Sequence, residues 1–135
     1  MKLRTIMDSL NLQNLTPELD TDVVITGCHI SDIMSETLAN AVEGGLWITQ
    51  QNHQVAVALA VLKKIPAILL VNGKKPTPKM LEKAKEEGIA ILTTPMSCFE
   101  TAGRLYQLCL SEKNSVAGVK TVSYTHLTLP TKRIV

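Results

Sequence analysis

The sequence is poor in aromatic residues, which make up 3% of its 135 residues. A core must therefore be built from Ala, Val, Ile and Leu, and an apolar fraction of 45% is enough for one domain of this length. Charged residues are also few, at 19%, which argues against a disordered chain. No uncharged apolar run reaches the roughly 18 residues of a membrane span, and the first residues lack the apolar core and cleavage site of a signal peptide. We therefore expect one soluble domain.

Cysteine and the common catalytic motifs are scarce as well. Cys28, Cys98 and Cys109 are an odd number without CxxC spacing, which favours the reduced thiols of a cytoplasmic protein over disulfides or a zinc site. There is no GxxxxGK[ST], GxGxxG, GxSxG or HExxH pattern. The segment Gly73-Lys74-Lys75 is only superficially similar to a phosphate loop. The sequence therefore signals no nucleotide hydrolase, dinucleotide enzyme, serine hydrolase or zinc protease, and we expect no cofactor.

The segment 120–135 differs from the rest of the chain. It has no helical period, and its back-translation resembles an in-frame read through a transposon-end sequencing adapter. The alternative is a natural extension that adds an edge strand, because residues 122–127 alternate in polarity. We expect 1–119 to be the domain and 120–135 to be non-native. Without that segment Lys+Arg falls from 14 to 11 against 12 acids, so the net charge changes from +2 to −1 and gives no support for nucleic-acid binding.

Strand and helix patterns alternate after a helix in the first ten residues and a short edge strand around Leu12 to Leu15. Four strand-then-helix units follow. Strands are predicted at 23–26, 46–49, 67–71 and 89–93. Helices are predicted at 31–41, 52–64, 77–87 and 97–111, the second of them heavily buried and the others capped by Ser31 or Asp32, Thr77 and Ser97. This order predicts an α/β fold, with a mainly parallel sheet of four to five strands covered by the helices of βα repeats.

A ligand site is expected where the strands end, because open parallel sheets bind ligands outside the carboxyl ends of their strands. The loops at that edge are polar, and free N–H groups at the helix starts could hold an anion or a nucleotide phosphate. The alternative is that their hydroxyls are ordinary helix caps. The candidate ligand-binding residues are Thr26, Gly27, His29, Ser31, Asp32, Thr49, Gln50, Asn52, His53, Asn72, Gly73 and Ser97.

Two histidines invite a catalytic or metal-binding interpretation. His29 and His53 lie in loops of adjacent units, so they could approach each other and, with Cys28, ligate zinc. No paired ligand spacing supports this, and we expect no metal. Asp32 and Glu36 share a helix face and could pair, but a solvated face explains them better.

Three segments resemble the DRTGG domain family. They are 22–32, the pattern within 41–58, and 97–102, and the resemblance extends over about 2–110. Asp22, Thr26 and Gly27 keep signature places, whereas other residues replace the signature Arg and second Gly. The replacing residues are Val23 and Cys28, respectively.

The resemblance implies a fold similar to the N-terminal domain of HPr kinase/phosphorylase. It also implies a regulatory or assembly role beside a catalytic domain, as in phosphotransacetylases and in pyrophosphatases carrying CBS domains. We therefore expect a cytoplasmic, homodimeric regulatory module that binds a small anionic metabolite or nucleotide, performs no catalysis, and contacts a protein partner such as a kinase or metabolic enzyme. Binding to nucleic acid or membrane is not expected. The alternatives are a structural partner-docking domain and, third, a small enzyme that uses His29 or His53.

Overall fold

The computed structural model describes residues 1–116, with side chains described as far as Ser111. The boundary predicted at residue 119 and the segment 120–135 lie outside the described residues. The helices are α1 (Leu3–Leu10), α2 (Met34–Asn40), α3 (Gln54–Leu62), α4 (Pro78–Glu87) and α5 (Cys98–Val116). The strands are β1 (Gln13–Asn14), β2 (Cys28–Ile30), β3 (Leu46–Thr49), β4 (Ala67–Leu70) and β5 (Ala90–Thr93).

The five strands form one sheet in the order β1-β5-β4-β3-β2. Strands β2 to β5 pair in parallel, and only β1 is antiparallel to its neighbour β5. The predicted α/β class, the mainly parallel sheet and the short edge strand near residues 12–15 are confirmed, and the structure shows that this edge strand is antiparallel.

Helices cover both faces of the sheet. The strands β2 to β5 are adjacent in chain order, so right-handed crossovers place α2, α3 and α4 on one face. Helices α1 and α5 pack together on the other face. Because side chains alternate along a strand, Ile48 and Leu69 face α1 and α5, whereas Trp47 and Ile68 face α3 and α4.

Each central strand is buried on both faces, as their continuous apolar sequences predict. All four residues of β3, β4 and β5 are buried. Helix α3 is less buried than expected, since only Ala56, Val57 and Ala60 of its residues are buried while Leu62 is 68% exposed. No described helix is both long and apolar enough to cross a bilayer.

The prediction of the first parallel strand at 23–26 is wrong, because β2 begins at Cys28. The β-branched segment is extended but pairs with the start of the chain. The N–H of Leu3 donates to the carbonyl of Val23, and the N–H of Ile25 donates to the carbonyl of Met1. The β propensity was therefore satisfied by an antiparallel contact close in space, rather than by the sheet proper.

Helix caps divide into confirmed and incorrect predictions. The Thr77 hydroxyl accepts the N–H of Met80 at 3.2 Å, and the Ser97 hydroxyl accepts the N–H of Glu100 at 3.1 Å. Gly88 ends α4 with φ 73°, a conformation that favours glycine. In contrast, neither Ser31 nor Asp32 caps α2, whose N-cap position is taken by Ile33 without a side-chain bond.

Candidate functional site

The carboxyl ends of the parallel strands place four polar loops at one edge of the sheet. Ile30 lies beside Ile48, and Thr49, Leu70 and Thr93 follow one another across β3, β4 and β5. Hydrogen bonds join the loops to each other. Residue 77 donates its N–H to the carbonyl of residue 52 at 3.0 Å, and residue 72 donates to the carbonyl of residue 96 at 2.8 Å. The predicted convergence of the loops after β3, β4 and β5 is therefore observed.

Thr26 and Gly27 do not belong to this edge, so their expected placement is wrong. Because β2 starts at Cys28, they precede the strand and lie at its amino end. The Thr26 hydroxyl donates to the carbonyl of Glu43 at 2.7 Å, just before β3 begins. Gly45 allows the close approach there, since a Cβ on it would lie 3.0 Å from the Gly27 carbonyl oxygen.

Asp32 closes the carboxyl end of the β2–β3 pair with an internal network. Its carboxylate accepts the Thr49 hydroxyl at 2.9 Å, the Gln50 N–H at 2.6 Å and the Gln50 side-chain amide at 3.2 Å. Partial burial raises the pKa of Asp32, but the hydrogen bonds from Gln50 and Thr49 outweigh it and hold the pKa below its usual value. The side-chain amide of Gln51 also donates to the Asp32 carbonyl. The N–H and O–H groups of Thr49 and Gln50 that could donate to a bound anion here therefore already donate to the Asp32 carboxylate.

His29 and His53 have separate structural surroundings. The Nε2 of His29 lies 2.9 Å from a carboxylate oxygen of Glu36, whose other oxygen accepts the Asn40 amide at 3.2 Å. This contact ties α2 to β2. His53 is exposed at the N-cap position of α3 and makes no side-chain capping bond. Among residues 1–111, no three His, Cys, Asp or Glu side chains are grouped to hold a metal ion.

An open cleft lies at the other end of the same edge, beyond β4 and β5. Its volume is about 270 Å³. We call it the lysine cleft, because two adjacent lysines contribute the charge in its wall. Its lining residues are Asn11, Gln13, Gly73, Lys74, Lys75, Thr93, Thr94 and Pro95. Lys74 and Lys75 are exposed, and neither forms an ion pair with any described residue. The cleft therefore presents two uncompensated positive charges next to hydroxyl and amide groups.

The loop that carries the two lysines is held in a tight turn. Asn72 and Gly73 both have positive φ, at 59° and 70°, a conformation that Asn and Gly adopt more readily than other residues. The N–H of Gly73 donates to the carbonyl of Thr94 at 3.0 Å, and the N–H of Lys74 donates to the carbonyl of Val71 at 3.1 Å. These two N–H groups are thus used internally, and the charge available to a ligand in the cleft comes from the lysine side chains.

Asn52 supports the cleft from outside. Its side-chain amide donates to the carbonyl of Lys75 at 2.7 Å, and its own carbonyl accepts the N–H of Thr77. Asn52 therefore fixes the lysine-bearing loop against the loop after β3. Ser97 acts as the cap of α5, as its alternative interpretation predicted.

Several cleft residues lie outside the predicted set. The sequence analysis placed Asn72 and Gly73 at this edge but did not select Lys74 and Lys75, because no phosphate-loop motif surrounds them. Two adjacent lysines in the loop after an apolar strand were the available signal. No comparable signal marked Asn11 and Gln13, since α1 and β1 reach this edge only through the antiparallel pairing of β1 with β5.

Comparisons with known proteins agree with the fold. The family model of the DRTGG domain matches residues 6–108. Among solved structures, the chain is similar to the CBS and DRTGG domains of the regulatory region of Clostridium perfringens pyrophosphatase, complexed with the activator diadenosine tetraphosphate. The identity is 19% and the TM-score is 0.54, over 74% of this chain but only 44% of that one, so this chain spans less than half of the solved chain. A search of the curated proteins finds no match.

A match over residues 6–108 covers most of the chain, including all five strands. The matched residues include the whole observed sheet, in which β2 to β5 are parallel and β1 is antiparallel at one edge. The chain belongs to the DRTGG domain family.

Proposed function

We propose that this domain is a regulatory module that binds a small anionic metabolite or nucleotide in the lysine cleft and performs no catalysis of its own. The observation that carries the proposal is the pair Lys74 and Lys75, whose charges have no acidic partner among the described residues. Two ammonium groups match the charge of a phosphate group. The Thr94 hydroxyl accepts the N–H of Met96 and can still donate its own proton, whereas the Thr93 hydroxyl donates to Gln13.

The lining of the cleft favours the phosphate part of a ligand over a base. It contains no aromatic side chain on which a purine could stack, and its volume of about 270 Å³ is small for a whole nucleotide. We therefore propose phosphorylated small metabolites, or the phosphate groups of a nucleotide whose base lies outside the cleft, as the ligand class.

The similar solved structure supports a regulatory role of this kind. It is the regulatory region of a pyrophosphatase and was solved with diadenosine tetraphosphate, a polyanionic activator. That region contains CBS domains in addition to its DRTGG domain. For the present chain we propose the same type of role, in a cytoplasmic setting consistent with three free cysteines, and with self-association and a protein partner as part of the regulation.

Titration calorimetry and thermal melting with inorganic phosphate, pyrophosphate and ATP test the proposal. A ligand at about 100 times its Kd stabilises a protein by roughly 2.7 kcal/mol, so binding should raise the Tm clearly. The double variant Lys74→Gln/Lys75→Gln should remove this response. Lys79→Gln is the matched control, because Lys79 is exposed on α4 and does not line the cleft. A response that survives the double variant, or its absence with every probe, would contradict the proposal.

A partner-docking domain without a ligand is the second candidate. An apolar groove beside β2 favours it, because such a surface suits protein contact better than anion binding. Catalysis by His29 or His53 is a third hypothesis, and turnover lost on replacing either histidine would be its test.

A further inference from the structure

Along its outer edge, the backbone of β2 pairs with no other strand among residues 1–116. Leu46 donates its N–H to the carbonyl of Gly27 at 2.9 Å, and Ser31 donates to the carbonyl of Ile48 at 3.3 Å. With Cys28 beside Leu46 and Ile30 beside Ile48 in parallel register, residues 27, 29 and 31 bond to β3. The N–H and C=O groups of Cys28 and Ile30 therefore point away from the sheet. No described strand pairs on that side.

An apolar groove of about 500 Å³ runs between this edge strand and α5. It exists because α1 and α5 cover the middle of the face, while β2 lies at the end of the strand order. The groove is lined by Gly27, Cys28, Ile30, Phe99, Ala102, Gly103, Leu105, Tyr106 and Cys109. None of these residues carries a formal charge at neutral pH, so the groove has the composition of an interface core.

Large apolar side chains at the groove are more exposed to solvent than is usual on the surface of a monomeric protein. Phe99 is 91% exposed, Tyr106 is 62% exposed and Ile30 is 45% exposed. The two aromatic rings alone leave roughly 300 Å² uncovered, which approaches the whole of the largest apolar patch on a typical monomer.

We propose that a second copy of this chain docks on this face through a two-fold contact. The two β2 strands run antiparallel across the axis, so that the free backbone groups of Cys28 and Ile30 pair with those of the other copy. Phe99 of each copy enters the apolar groove of the other. This inference rests on the proposed self-association and is independent of anion binding in the lysine cleft.

A second copy fits this face better than a peptide does, because the face carries both halves of the contact. Phe99 protrudes at the start of α5, and Cys109 lines the groove about three turns further along the helix. A two-fold axis brings the start of one α5 opposite the far part of the other, which places each Phe99 near the opposite groove. A bound peptide would contact Phe99 only as part of the groove wall, whereas the two-fold contact also inserts the protruding Phe99 ring into a second groove.

Charge and area also agree with a symmetric pair. Glu100, which follows Phe99 on α5, forms an ion pair with Arg104 at 2.9 Å, so these two residues add no net charge beside the groove. Counted on both copies, the exposed parts of Phe99, Tyr106 and Ile30 supply roughly 800 Å², the range of a weak, concentration-dependent contact.

Sedimentation equilibrium of the full chain over a wide concentration range tests the proposal. The wild type should dimerise, and Phe99→Glu should weaken the dimer at least tenfold, because it places a charge in an apolar contact. Ile30→Lys should do the same by placing a lysine on the strand edge. Leu62→Glu is the matched control, since Leu62 is equally apolar and 68% exposed, but lies at the end of α3 on the other face of the sheet.

Each outcome decides the proposal. A wild type that stays monomeric, a dimer that tolerates both groove variants, or a dimer that Leu62→Glu breaks would overturn it. Circular dichroism shows whether each variant is folded. If Ile30→Lys unfolds the edge strand, the Phe99→Glu variant alone decides the proposal, because Phe99 is exposed and its replacement does not disturb the core. Lys74→Gln/Lys75→Gln should leave the dimer intact, so a failure of the interface is distinguishable from a failure of the proposed anion binding.

Discussion

The carboxylate of Asp32 accepts the backbone N–H of Gln50 at 2.6 Å, and this bond joins the loop after β2 to the loop after β3. The Thr49 hydroxyl and the Gln50 amide complete the arrangement. A carboxylate held by several donors occupies the position where an exogenous anion would otherwise be stabilised. The edge of the sheet is therefore divided into a closed end at Asp32 and an open end at the lysine cleft.

Replacing Asp32 with Ala should lower the free energy of unfolding by about 1–2 kcal/mol at neutral pH, because donors of Thr49 and Gln50 lose a charged acceptor. Urea denaturation measures this. Asp8→Asn is the control, as the Asp8 carboxylate makes no hydrogen bond or ion pair among the described residues. A change as small as that of the control would mean that the Asp32 network adds nothing to stability.

The same network predicts how acid acts on the domain. The pKa of Asp32 lies lower in the folded protein than in the unfolded chain, so its contribution is present above the ordinary carboxyl pKa of about 4. The contribution is lost as the pH falls through the lowered pKa. The difference in stability between wild type and Asp32→Asn should shrink over that range, and a difference that is constant down to low pH would contradict this assignment.

Cys28 should be an unreactive thiol. Cys28 is exposed at the wall of the apolar groove, but the surrounding apolar atoms desolvate its thiol and raise its pKa to about 11, and the nearby Cys109 adds to the shift. At pH 8 such a group has about a hundredth of the thiolate of a thiol with a pKa of 9. Alkylation by iodoacetamide, followed by mass spectrometry, measures the reactivity of Cys28. The Phe99→Glu variant is used so that a second copy does not protect the thiol. Cys28 should react slowly near neutral pH, and its rate should rise with pH up to about pH 11. A rate that levels off near pH 9 would contradict the shift.

Leu69→Ala should cost about 2–5 kcal/mol, because Leu69 is fully buried in a central strand between β3 and β5. The matched substitution Leu62→Ala removes the same atoms from a side chain that is 68% exposed, and should cost under about 0.5 kcal/mol. Denaturant midpoints of the two variants give the comparison. Similar losses at both positions would be incompatible with the observed burial.

The sequence was most informative where local pattern and tertiary context agree. The apolar segments of β3, β4 and β5, the Thr77 cap and the Gly88 terminator were predicted correctly, since each depends on its own residues. The strand predicted at 23–26 was wrong for the opposite reason. Its β-branched residues favour extended backbone, but the partner was chosen by the N-terminal segment of the chain.

Topology predicted where the candidate site lies, but the sequence analysis did not predict which side chains give it its charge. The rule for parallel sheets located the correct edge, and Asn52, Asn72 and Gly73 do hold the lysine loop. The sequence could not show that the Asp32 carboxylate accepts hydrogen bonds from Thr49 and Gln50. The contact with Gln50 spans 18 positions and depends on the register of β2 against β3. The exposed groove beside α5 was also not evident, because the apolar pattern of α5 in the sequence resembles that of a helix covered by other elements.

An anion that binds in the lysine cleft should be detected residue by residue when the ¹⁵N-labelled chain is titrated with pyrophosphate and followed by NMR. The amide signals of Gly73, Lys74 and Thr94 should move in a saturable way, while those of Gln50 at the closed end and Gly44 at the amino edge should remain in place. The Lys74→Gln/Lys75→Gln variant should show no such shifts. Saturable shifts centred on Gln50 or Gly44, or no saturable shift at the cleft, would show that the lysine cleft does not bind the anion.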